Sequence, residues 1–181
     1  MESRDRYNRG MSSRYTVRFG QSLRDFECAV ALNKNPALLA RFDRAVEDGR
    51  DLVEKSIQLR GPNFTLDQLI EQENLFQLGL AKMEARQWHE CEEAFRQSIA
   101  MGDCLSQPWC NLGACLLMQE RYDEFEAALK RALVFDPHYA MAKSNLVLLA
   151  EARRTGPPKQ FGIQDPFKGA KIKQELTFVM E

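Results

Sequence analysis

The chain has 181 residues, 44% of them apolar and 28% charged, with a formal net charge of −1. That length allows one domain with a sizeable core, or a domain with appendages. No apolar run approaches the roughly 18 residues that a membrane span needs.

The near-neutral total hides an uneven distribution. Residues 1–24 carry a net +4, residues 153–181 a net +3, and the stretch between them a net −8. Basic ends on an acidic body are expected either to stay solvated or to dock on an acidic surface, their own or a partner's. Five cysteines (Cys28, Cys91, Cys104, Cys110, Cys115) form no C-x-x-C pair. An odd number without such a pair argues against a disulfide framework and for a reducing compartment. The N-terminus lacks the apolar stretch of a secretory signal. Its Arg and Ser content suits a mitochondrial presequence, but Glu2 and Asp5 count against one, so a cytoplasmic protein is expected.

In chain order, residues 1–20 read as a basic, mobile arm. Within it Tyr15, Val17 and Phe19 alternate with Arg14, Thr16 and Arg18, the period of a short strand. A helix is predicted from Ser22, with Asp25 in a weak capping box and Leu23, Phe26 and Val30 on one face, ending near Asn33. Asn35-Pro36 opens the next helix, which is predicted to reach about Arg60, where Gly61-Pro62 stops it. Thr65 with Gln68 marks another start. These segments, 21–71, are expected to cover the N-terminal end of the helical region 72–153.

Within that region two stretches repeat at an interval of 34 residues. Leu78-Gly79 matches Leu112-Gly113, Trp88 matches Tyr122, Phe95 matches Leu129, Ser98 matches Ala132 and Ile99 matches Leu133. A glycine inside a helix costs roughly 1 kcal/mol relative to alanine. Two at the same phase predict a close helix crossing, with Ser98 and Ala132 as the small residues that permit it. Each copy therefore reads as two antiparallel helices. The period and the pattern of Trp109, Leu112, Gly113, Tyr122, Ala132 and Pro137 resemble the tetratricopeptide repeat. The first copy departs from it at Leu75 and Asp103. A half-unit from Ala140 ends at the Thr155-Gly156-Pro157-Pro158 stretch and is similar to the family's capping helix. The resemblance covers 72–153. It implies an all-α fold, a short right-handed superhelix of antiparallel hairpins, with 154–181 left as a basic tail.

No catalytic or metal-binding pattern stands out. His89 and His138 are far apart in sequence, the cysteine spacings fit no structural zinc site, and Glu90, Glu92 and Glu93 read as a solvated helix face. Cys91 and Cys115 fall at packing positions. The expectation is a non-enzymatic protein that needs no cofactor.

In the resembled family, the first helix of each hairpin lines a concave face that binds partner peptides. Carried onto this sequence, that face takes Glu73, Phe76, Gln77, Leu80, Met83 and Glu84 from the first copy. The second copy gives it Gln107, Cys110, Asn111, Ala114, Leu117 and Met118, and the last helix gives it Met141, Ser144, Asn145 and Leu148. The basic residues that would clamp a carboxylate tail are absent from these positions. What remains is an apolar trough with several methionines and a few amides. Two occupants suit it: a peptide or helix of a partner protein, or the chain's own terminal segments. The function expected is a protein-binding scaffold or adaptor. An assembly subunit or small chaperone shielding an apolar segment is the alternative, and nucleic-acid binding through the Arg-rich N-terminus is less favoured. The final residues, where Leu176, Phe178 and Met180 alternate with Thr177 and Val179, could pair with 14–19 as a ribbon or add to a partner's sheet edge.

Overall fold

The computed structural model describes residues 2–158, and every regular element among them is an α-helix. They form two compact units, 2–73 and 74–158.

The first unit contains α1 (Ser3–Tyr15), α2 (Phe19–Leu32), α3 (Pro36–Gln58) and the start of α4 (Leu66–Glu84). The expected strand at 14–19 is not formed: these residues end α1, make a short turn and open α2. Helical spacing wins there because it buries more. Tyr7, Gly10 and Ser13 face inward at three-residue intervals. Tyr7 stacks on Phe42 with ring centroids 4.8 Å apart and tilts against Phe26 at 5.5 Å. A Cβ at Gly10 would stand 2.6 Å from the Phe26 ring, so only glycine admits that ring.

The arginines of the predicted arm are also engaged. Arg6 and Arg9 pair with the fully buried Asp25, and Arg14 lies 3.5 Å from Asp48. Asp25 is therefore an ion-pair centre rather than part of a capping box, and α2 begins at Phe19 instead of Ser22. The Ser22 hydroxyl donates to the Gly10 carbonyl. The other caps follow the sequence: Asn35 accepts from the Ala37 N–H, and Thr65 and Gln68 exchange reciprocal bonds at the start of α4.

Glu73 is buried in this unit and accepts the N–H groups of Gly20 (2.9 Å) and Gln21 (3.3 Å) at the N-terminus of α2. Burial raises its pKa above the ordinary carboxyl value despite those bonds. A raised native pKa means a stability contribution that is complete below the unfolded value and lost as pH rises through the native one. The stability of wild type relative to Glu73→Gln is therefore expected to fall from pH 4 to pH 7. Urea midpoints of both proteins across that range give the measurement; a difference that is constant or grows with pH contradicts it.

The second unit contains the rest of α4 with α5 (Trp88–Met101), α6 (Ser106–Met118), α7 (Tyr122–Phe135) and α8 (Ala140–Thr155). Three-residue connections join α4 to α5 and α6 to α7, which makes each pair an antiparallel hairpin. The close crossings predicted from the two glycines are present. A Cβ at Gly79 would lie 2.7 Å from the Phe95 ring, and one at Gly113 would lie 3.3 Å from Leu129. Ser106 donates to the carbonyl of Ala132, fastening α6 to α7 at the small residue.

Cys91 and Cys115 correct the sequence reading. Both are fully buried, as expected of packing residues, but they are joined as a disulfide between α5 and α6. Their Cα atoms are 6.3 Å apart, within bridging range. Sequence spacing could not show that two helices bring these faces together. The cysteine count accordingly no longer argues for a reducing compartment.

One repeat escaped the sequence reading. Gly10, Phe19, Phe26 and Ala29 have the same mutual spacing as Gly79, Trp88, Phe95 and Ser98, and as Gly113, Tyr122, Leu129 and Ala132. The α1–α2 turn is built like the other two. Val17, Arg86 and Glu120 all have φ near +60°. In each case the next N–H reaches back to a carbonyl five residues earlier: Arg18 to Ser13, Gln87 to Lys82 and Arg121 to Leu116. This is the bond that closes a helix end through a left-handed residue. A β-branched residue suits that conformation poorly, so Val17 is the strained member of the three.

The tail from residue 159, including the ribbon half at 176–180, lies outside the described residues. No helix among the described residues is long and apolar enough to cross a membrane.

Candidate functional site

In the second unit the predicted trough residues divide by depth. Met83, Cys110, Ala114 and Leu117 are buried within the unit's core. Phe76, Leu80 and Met141 are half-buried and pack against that core. Gln77, Gln107, Asn111, Met118 and Asn145 are half-buried, while Ser144 and Leu148 on α8 are exposed. The floor of the predicted trough is thus protein interior. The half-buried and exposed residues are the ones that can meet a ligand.

Three amides recur along this set. Gln77 on α4, Asn111 on α6 and Asn145 on α8 stand 34 residues apart, one turn ahead of Leu80, Ala114 and Leu148. Asn145 donates to the Cys110 sulfur at 3.6 Å, which links α8 to α6. The side chains of Gln77 and Asn111 hydrogen-bond nothing among the described residues, so their donors and acceptors are left to solvent or to a ligand. Asn8 of α1 holds the corresponding place relative to Gly10. That fourth amide was readable in the sequence once Gly10 was put in register with Gly79.

The surroundings hold little reactive chemistry. Burial pushes the Cys110 thiol up to about 11, so it stays protonated at neutral pH and is a poor nucleophile. Burial likewise pushes the Tyr139 phenol up to about 12. His89 and His138 are both exposed. No group of three or more His, Cys, Asp or Glu side chains among the described residues is placed to hold a metal ion.

Glu92 departs from its expected place on a solvated face. Its side chain is only 12% exposed and meets Arg96 at 2.8 Å, Arg121 at 2.5 Å and Gln119 at 3.0 Å. Burial would raise its pKa, but hydrogen bonds from those three residues outweigh it and hold the carboxyl below its ordinary value. The network ties α5 to the α6–α7 turn. Beside it lies an open cleft of about 550 Å³, lined by Arg86, Trp88, His89, Met118 and Arg121 among others. Met118 thus lines this cleft at the hairpin turns.

No protein-family model, no curated protein and no solved structure matches this chain.

Proposed function

We propose that the 74–158 unit is a short tetratricopeptide-like solenoid, and that it works as a protein–protein interaction module without catalysis. Its ligand is an extended peptide or helix of a partner protein, received on the side chains that α4, α6 and α8 present. One observation carries the reading: half-buried amides recur at the 34-residue interval, and two of them have no hydrogen-bond partner among the described residues. An amide offers one acceptor and two donors, which suits it to the backbone of a bound segment. The half-buried Phe76, Leu80 and Met141 and the exposed Leu148 supply apolar contact beside it. Leu117 is no target for testing this, because a charge placed at that buried position would unfold the unit. The informative variant is Gln77→Ala/Asn111→Ala/Leu148→Glu, which leaves the core intact. It is compared with wild type in affinity capture from the native source.

A further inference from the structure

We infer that the cleft between α2 and α3 is the docking site of the chain's own segment 167–180. The cleft has a volume of about 480 Å³ and is lined by Val30, Ala31, Val46 and the charged residues Glu27, Asp43, Glu47 and Arg50. Arg50 pairs with Glu27 at 3.1 Å. Asp43 and Glu47, one turn apart on α3, are exposed and have no ion-pair partner among the described residues. Leu39, a turn before Asp43 on the same face, is 44% exposed. An apolar strip bounded by two unpaired carboxylates suits a segment that mixes apolar and cationic side chains.

The chain supplies such a segment. Residues 167–180 read FKGAKIKQELTFVM: Lys168, Lys171 and Lys173 fall within six residues, among Phe167, Ile172, Leu176 and Phe178. Asp43 and Glu47 belong to the acidic middle of the chain and these lysines to its basic end, so docking would bring opposite charges together and cover the strip. A foreign basic peptide or a second copy of the chain could use the same chemistry. The tethered segment is favoured because it belongs to the same chain, so its docking does not depend on protein concentration.

The test uses the full chain and a zero-length carbodiimide, which couples a lysine amine to a carboxylate only when the two are in contact. Peptide mapping of the monomer band is expected to find Lys168, Lys171 or Lys173 joined to Asp43 or Glu47. The yield should drop at least tenfold in Ile172→Asp/Leu176→Asp, which keeps every lysine but loses the apolar contact. It should also drop in Asp43→Lys/Glu47→Lys and return when Lys168, Lys171 and Lys173 are changed to Glu in that background. Coupling found only in a dimer band would assign the cleft to a second copy and overturn the proposal. So would equal yields in wild type and Ile172→Asp/Leu176→Asp, or no coupling at all at Asp43 and Glu47.

Discussion

Replacing Phe95 with alanine is expected to destabilise the 74–158 unit by about 3–5 kcal/mol, the range for emptying a fully buried aromatic site. Phe95 is 0% exposed and meets Phe76 edge-on, with ring centroids 5.5 Å apart. Its ring also fills the space above Gly79, where a Cβ would stand 2.7 Å away. Removal therefore empties the contact between α4 and α5. The disulfide on α5 limits how far that helix can move to close the gap. Native-state hydrogen exchange is the suitable measurement, because a chain of two units need not unfold in one step. Protection of the most stable α5 and α6 amides should fall by about two to four decades, at about 1.4 kcal/mol per decade. A loss smaller than one decade would show that Phe95 does not hold these helices together.

Asp25→Ala is expected to cost the first unit about 2–3 kcal/mol. The Asp25 side chain is 1% exposed and accepts from Arg9 Nε at 2.8 Å, from Arg6 at 3.3 Å and from Gln21 at 3.4 Å. Cutting a buried ion pair at one partner costs about 3–5 kcal/mol when the other charge is left buried. Here the arginines are 29% and 44% exposed and regain water, so the cost falls below that range. Exchange protection in α1 should drop more than in α3, because Arg6 and Arg9 are what α1 contributes to the pair. Raising salt to about 0.5 M should change the effect little, because the carboxylate is buried. A variant as stable as wild type would mean that the α1–α2 contact rests on the packing of Tyr7, Gly10 and Phe26 and the Ser22–Gly10 bond rather than on the ion pair.

The second unit and several helix ends of the first were readable in the sequence, because the packing of the one is periodic and the caps of the other are local. Gly79 and Gly113 announced the close crossings, and the Asn35, Thr65 and Gly156 signals marked helix ends close to where they occur. Residues 1–20 were misread for a physical reason. Five arginines made a solvated arm the natural expectation, yet Arg6 and Arg9 are held by a carboxylate that looks in sequence like a capping residue. The alternation at 14–19 was real but short. It could not compete with a helix that places Tyr7 and Gly10 against Phe26.

The candidate face was partly readable. The family resemblance chose α4, α6 and α8, and the helical phase carried onto them could not say which apolar residues stay outside. Met83, Cys110, Ala114 and Leu117 turned inward because the neighbouring helices close over them. The Cys91–Cys115 bond was not readable at all, since it depends on how α5 and α6 are apposed.

Partner binding by this face is tested by quantitative affinity capture with wild type beside Gln77→Ala/Asn111→Ala/Leu148→Glu, after both show the same thermal midpoint. Losing two amide hydrogen bonds worth about 1 kcal/mol each, together with one apolar contact, should weaken a partner by at least about tenfold. At least one protein is expected to be retained by wild type and depleted tenfold or more by the variant, with the rest of the captured set unchanged. Identical captured sets at equal abundance would contradict that role, and would mean that this face binds no partner protein.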